Sequence, residues 1–486
     1  MVSQVPTTFP DEPLFAGFNA PMRVEAEIYD LEVAQGEVPG QLDGTYYRVV
    51  ADRQWPPRSA DDIPFNADGM VMSFRFTGGH VDFRSRYVRT PRFKAEREAR
   101  RALFGAYRNA YTDDPSVTGM NRTLANTNVF WHAGRLLASK EDGLPFEIDP
   151  DTLETVGMHT FDGALTSPTS TAHPKFDPRT GEMVFFGYAA KGEGTPDIVY
   201  YEADRNGNLV HETWFQAPYS SMLHDFAVTQ NFVIFPIIPL VADADRLRVG
   251  QPLFAWDPGK DVYLGVLPRK GRTEDLRWYR ASTRFASHIL GAYDDGRHIF
   301  VDTPVSESNY FPFFPDVSGA PRDPERVKGY LSRWTIDTMG ESRTFTEERL
   351  TDHAGEFPRM DDRFETLPYS WGVLGMYEVP GQRRPGGGFR WIGTVDLAAR
   401  TTRTHYVGDA STTGEPLFVP AHDEAGPGEG YVMAVVGRHE ENRSDLLILD
   451  AKRIDVPPVA TVKLPIRIPY GLHGNWVTAT ELRKGA

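Results

Sequence analysis

Phe74-Arg75-Phe76-Thr77-Gly78-Gly79-His80-Val81-Asp82-Phe83-Arg84 reads as two short strands joined by a two-residue turn. Consecutive glycines accept the positive backbone angles of a tight hairpin, and aromatic and β-branched residues flank them. The pattern recurs outward. Ile198-Val199-Tyr200-Tyr201, a turn at Asp204 to Gly207, and Leu209-Val210 form a second hairpin. Ile289 to Tyr293, Asp294-Asp295-Gly296, and His298-Ile299-Phe300-Val301 form a third. Gly430 to Val436 and Leu446 to Leu449 carry the pattern toward the C-terminus. Hairpins at even spacing with no helical pattern between them predict an all-β chain. No internal sequence repeat stands out, so spacing alone does not name a propeller.

With 486 residues the chain can bury a large core, and both several domains and one β architecture of many strands fit that length. Charged residues at 24% and aromatics at 12% are a globular balance. A net charge of −15 argues against nucleic acid or an anionic membrane surface as the partner. The sequence has no cysteine, which excludes disulfides, thiolate metal sites, iron–sulfur clusters and a cysteine nucleophile. Met1 to Pro21 lacks a basic segment followed by an apolar one, so no signal peptide is expected. No apolar run approaches the ~20 residues that would span a bilayer. These features predict a soluble, cytoplasmic protein without stable membrane insertion.

One segment reads as helix. Arg92 to Arg108 is rich in Ala, Glu and Arg, with Ala95, Ala99, Leu103 and Ala106 on one face. It is expected to be an insertion, at about 92–112, that caps one face of the β core. Trp55-Pro56-Pro57 and residues 384–388 read as loops, and the latter lacks phosphate-binding spacing. No stretch reads as a linker, and the chain is taken as one domain over 1–486.

Four of the thirteen histidines stand at the edges of apolar, strand-like runs. They are His173 in Thr171-Ala172-His173-Pro174-Lys175-Phe176-Asp177, His224 in Met222-Leu223-His224-Asp225-Phe226, His288 in Phe285-Ala286-Ser287-His288-Ile289, and His473 in Gly471-Leu472-His473-Gly474-Asn475-Trp476. Each also has a bland reading as a turn or core residue, and no local spacing such as HExxH joins them. Four neutral imidazoles at one point would favour iron, copper or zinc. The other nine histidines read as surface or hydrogen-bonded residues.

These segments, together with Asn66-Ala67-Asp68-Gly69-Met70, resemble the carotenoid cleavage oxygenases along nearly the whole chain. The resemblance implies a seven-bladed β-propeller with a helical and loop cap over the metal face. It implies one Fe(2+) per chain held by His173, His224, His288 and His473. It also implies carboxylates behind the ligands, and Glu141 in Lys140-Glu141-Asp142-Gly143-Leu144-Pro145, Glu356 in Glu356-Phe357-Pro358-Arg359, and Glu415 in Glu415-Pro416-Leu417-Phe418 match. A carboxylate accepting the second ring N–H would fix each tautomer and offset the metal's charge. Thr127 matches a position that narrows an open site at the iron.

A finer resemblance is to bacterial lignostilbene dioxygenases, through Phe104-Gly105-Ala106-Tyr107-Arg108-Asn109, Tyr111 to Val117, and Ser139 to Pro145. It implies that Tyr107 and Lys140 bind the substrate's 4-hydroxyl, that Phe65 packs on its ring, and that the protein is a homodimer. Independently, a cationic donor such as Lys140 favours a deprotonated phenol, which can push electron density toward a C=C bond under attack. Lys140 and Glu141 are neighbours, so both can serve one site only at a bulge or turn. The aromatic loop Asn309 to Pro315 suits a tunnel lining, a subunit interface or a buried plug.

The function so implied is oxidative cleavage by O2 of the central C=C bond of a phenolic stilbene, lignostilbene or resveratrol-like, into two aromatic aldehydes. Two alternatives stay open: cleavage of a carotenoid or apocarotenoid, and a β-propeller binding module without catalysis.

Overall fold

The computed structural model describes residues 6–382, 387–469 and 471–485. The loop expected at 384–388 falls largely outside them. In the opening hairpin, Gly69–Thr77 pairs antiparallel with His80–Tyr87, and Thr77 faces His80 across Gly78 and Gly79. Both glycines have positive φ, +58° and +88°, the requirement of that turn. The other three hairpins form as expected, with Ala203 opposite Leu209, Asp294 opposite Ile299, and Gly430–Arg438 against Arg443–Asp450.

The hairpins extend into antiparallel sheets that follow the chain. The first orders Ala26–Ile28, His80–Tyr87, Gly69–Thr77, Gly44–Ala51 and Gly471–Thr478. Four-stranded sheets then run over Asn128–Met158, Lys175–Gln216 and Ala227–Ala281. A seven-stranded sheet covers Gly291–Tyr406, and a last sheet combines Ser411–Leu464 with Val33–Gly36. Within the seven-stranded sheet, Thr346–Arg359 pairs with Tyr330–Asp337 over 346–354 and with Trp371–Glu378 over 354–359. This one strand therefore passes from one group of strands to the next.

Core contacts show how the sheets are arranged. Neighbouring residues on a strand point to opposite faces, and here both faces are buried. Val71 packs with Val129 and Leu136 of the second sheet, while Met70 and Met72 pack with Val435 and Ile448 of the last. Phe185 joins Phe130 of the second sheet, while Phe186 joins Val233 and Ile234 of the fourth. Val432 and Ala434 meet Val373 and Ile392, whereas Met433 and Val435 meet the first sheet. Sheet follows sheet face to face until the last meets the first, which makes the molecule a β-propeller. The C-terminal strand Gly471–Thr478 pairs with Gly44–Ala51 and ties the end of the chain to its beginning. Each such buried apolar side chain contributes about 1.5–3 kcal/mol.

The helix is shorter than its composition predicts. It spans Pro91–Ala99, with the Thr90 side chain accepting from the Phe93 amide, and ends at Arg100 in a left-handed conformation. The Leu103 and Phe104 amides then donate to Glu96 Oε1, at 2.9 and 3.0 Å, instead of continuing the helix. From there the cap is loop and short 3-10 turns, and that loop carries Tyr107. Among the described residues, no helix is long and apolar enough to cross a membrane.

Candidate metal centre and adjoining cavity

Three of the four singled-out histidines lie just before the first strand of their sheets. His173 precedes Lys175–Phe176, His224 precedes Ala227–Val228, and His288 precedes Gly291–Asp294. His473 is on the C-terminal strand, opposite Gly44–Ala51. A propeller directs such inner positions to one point, and the four rings meet there. One nitrogen from each lies within 4.8 Å of the others. His173 Nε2 and His288 Nε2 each lie 3.1 Å from His224 Nε2.

Glutamates fix the tautomers. His288 Nδ1 donates to Glu356 Oε2 at 2.6 Å, and His473 Nδ1 donates to Glu415 Oε1 at 2.9 Å. A carboxylate only accepts, so each Nδ1 holds the proton and each Nε2 presents a lone pair. His224 Nδ1 is 3.5 Å from Glu141 Oε1, close enough for electrostatic attraction but outside hydrogen-bond geometry. Among the described residues no glutamate lies within ion-pair distance of His173; its Nδ1 stands 4.0 Å from Asp225 Oδ2. Burial and the three other imidazoles push His173 well below the usual histidine range, which keeps it neutral. Burial alone would raise the Glu415 carboxyl, but Arg359 and His473 override it and hold it at about 2. Glu141 is likewise held at about 2, against burial, by His224 and Lys140.

Buried acceptors that converge without a donor between them are costly unless a cation takes their lone pairs. The donor set therefore fits a metal ion, and nitrogen ligands select a first-row metal such as iron.

A largely apolar cavity adjoins the cluster, of the kind that takes a small organic molecule. Phe65, Met222, Phe311, Phe357, Phe389 and Leu472 give it apolar walls, and His224, His288 and His473 stand at the metal end. Lys140, Tyr107 and Thr127 also line it. Lys140 Nζ lies 4.8 Å from the centre of the Tyr107 ring, whose centre is 6.5 Å from that of Phe65. Thr127 sits beside His473, whose amide donates to the Thr127 carbonyl at 3.2 Å. Lys140 and Glu141 both reach this cavity because strand Arg135–Ser139 ends just before them and the chain turns. The aromatic loop is part of the wall, through Tyr310 and Phe311. Phe357, beside Glu356, has φ +53°, an unusual angle that lets consecutive residues serve the histidines and the cavity.

Several contributors carry no local signal in the sequence. Asp142 pairs with Lys140 Nζ. Asp225 accepts from the Ile289 amide at 2.7 Å and so ties the His224 segment to that of His288. The Arg359 guanidinium donates to the Gly474 carbonyl at 2.7 Å. The Tyr310 hydroxyl donates to Glu356 Oε1 at 3.0 Å. Asp142, Asp225, Arg359 and Tyr310 each lie inside a segment quoted above for other residues, the one hint available beforehand.

A four-histidine centre on a β-propeller, opening onto an apolar cavity, defines a class: metal-dependent oxygenases. The chain belongs to the retinal pigment epithelial membrane protein (RPE65) family, that of the carotenoid oxygenases, whose model matches residues 19–478. It is 48% identical over 484 residues to lignostilbene-alpha,beta-dioxygenase isozyme III of Sphingomonas paucimobilis, covering 98% of this chain and 99% of that one. It is 45% identical over 475 residues to isoeugenol monooxygenase of Pseudomonas nitroreducens, covering 96% and 98%. The crystal structure of Pseudomonas brassicacearum lignostilbene dioxygenase superposes with a TM-score of 0.94 at 42% identity, covering 97% and 100%. The protein is thus an oxygenase, and Fe(II) agrees with both its family and its donor set.

Proposed function

We propose that the protein is a non-haem Fe(II) dioxygenase that cleaves the central C=C bond of 4-hydroxystilbenes with O2, yielding two aromatic aldehydes. The observation that carries this is the presence of Lys140 and Tyr107 in the same apolar cavity as His224, His288 and His473. His173, His224, His288 and His473 would hold the iron, with Glu141, Glu356 and Glu415 orienting three of the rings. Bound there, Fe(II) would supply the redox centre for O2.

The chain's own groups account for substrate choice. The Lys140 ammonium faces the phenol oxygen and favours its deprotonated form, and Tyr107 adds a hydrogen bond. Phe65 packs on the ring, and the aromatic walls keep bulk water from the alkene. Thr127 narrows the space beside His473. The similarity to isoeugenol monooxygenase favours a second reading, in which a 4-hydroxyphenyl propene is the substrate. Both readings share the phenol end. A carotenoid substrate is the weaker alternative, because the cavity places a buried lysine where a polyene offers no partner.

This proposal includes seven blades, counting the seven-stranded sheet as two joined by Thr346–Arg359, in one domain over 1–486 with the cap at about 92–112. It also includes a cytoplasmic homodimer. The test is product analysis of iron-loaded protein with a 4-hydroxystilbene, isoeugenol and an apocarotenal in parallel. Two aldehydes formed fastest from the stilbene are expected. Faster cleavage of the apocarotenal would overturn the proposal, as would protein purified without oxygen that holds no metal.

A further inference from the structure

The histidine cluster meets a second cavity of opposite character. His173 lines only this one, His224 lines only the apolar one, and His288 and His473 line both. Its walls are polar and include four carboxylates, Asp225, Asp362, Glu365 and Glu415, against two cations, Lys175 and Arg359. Both cations are engaged. Lys175 Nζ sits 3.0 Å from Asp225 Oδ1, and Arg359 lies 3.2 Å from Asp362 and 3.4 Å from Glu415. Glu365 accepts the Phe176 amide at 2.8 Å on Oε2, and among the described residues no cation lies within ion-pair distance of it.

The carboxylates are graded in depth. Asp362 keeps 59% of its side chain exposed, Glu365 is half-buried, and Asp225 and Glu415 are 2% and 4% exposed beside the histidines. The cavity thus leads from solvent to the metal-binding nitrogens past oxygen ligands at each depth. The apolar cavity offers a hydrated dication less: its aromatic walls cannot replace water ligands, its two carboxylates, Glu141 and Glu356, already face His224 and His288, and Lys140 adds a positive charge beside them.

We propose that the polar cavity is the path by which an aquated divalent metal reaches the histidines, with Asp362 drawing it in and Glu365 relaying it to His173. This rests on the reading of the four histidines as metal ligands. It assigns separate ways in to metal and substrate. Oxygen donors exchange water on a divalent ion readily and hold it less firmly than four imidazoles, so transfer runs inward.

The experiment follows Co(II) binding to metal-free full-length protein by the visible absorption that nitrogen ligation gives the ion. Uptake is expected to slow as ionic strength rises. Burial pushes the Glu365 carboxyl up to about 7, so uptake is followed at about pH 8, where it is largely ionised; there Glu365→Gln and the exposed Asp362→Asn should each slow it about three- to tenfold, because each removes one focusing charge. The final Co(II) per chain should stay at the parental value. Saturating the apolar cavity with 4-hydroxybibenzyl, which lacks the double bond, should leave the rate unchanged. Parental uptake rates in both variants would overturn the path, as would a block by the bibenzyl. Lower final occupancy at an unchanged rate would make Glu365 part of the resting site and also overturn it. If the parental protein binds no Co(II) at all, the ligand assignment itself fails, a result distinct from failure of the path.

Discussion

The two cavities that meet at the histidines differ in what they can recognise. The apolar one sets one ammonium, Lys140, among aromatic walls, with Glu141 and Glu356 turned to His224 and His288; the polar one carries four carboxylates partly balanced by Lys175 and Arg359. Under the proposed function, one side reads a neutral ring with an acidic oxygen and the other admits water and cations. The contrast teaches that the metal centre is a partition, with ligands shared by two chemically separate compartments.

Breaking the partition itself should have the largest effect. His473→Ala removes a ligand common to both compartments. Metal content after dialysis should fall far below one per chain, with activity down by about 10³-fold or more. Next is Lys140→Met, which should keep parental iron by elemental analysis while kcat/KM on a 4-hydroxystilbene falls about 10²- to 10³-fold. Burial lowers the Lys140 pKa. A lowered pKa means the ammonium is present at low pH and is lost sooner as pH rises. The parental kcat/KM profile for phenolic substrates should therefore decline below the ordinary lysine range, and Lys140→Met should lack that limb. Glu356→Gln leaves both cavities in place but weakens the orientation of His288, so metal affinity by competitive chelation should drop about 10- to 100-fold. The smallest effect is expected for Asp142→Asn, which releases Lys140 from its partner. Because the pair is buried, thermal stability should fall as well, while a change of a few-fold in KM for the phenol, with kcat nearly parental, would mark Asp142 as a positioning residue.

The strand class and the residues on the apolar side of this contrast are legible in the sequence. The hairpin around Gly78-Gly79 and its counterparts gave strand class through turn chemistry alone, which is local. The histidines and glutamates stood out through their segments, not their spacing, because a propeller brings together residues hundreds of positions apart. The helix ends earlier than its composition predicts for a local reason: Glu96 captures the amides of Leu103 and Phe104, a contact that propensity does not encode. Asp225, Arg359 and Tyr310 were invisible because their roles exist only across the ring, where they bond to segments 46 to 115 positions away. The polar cavity was unreadable too, since its carboxylates look like ordinary surface charge until the chain closes around them.

The most direct measurement compares a 4-hydroxystilbene with its 4-methyl ether, in the parental protein and in Lys140→Met, both loaded with equal iron. The parental enzyme should cleave the free phenol about 100-fold faster than the ether, and the variant should cleave both at the same low rate. If the parental enzyme cleaves the ether as fast as the phenol, Lys140 does not read the phenol and the apolar compartment has been misassigned.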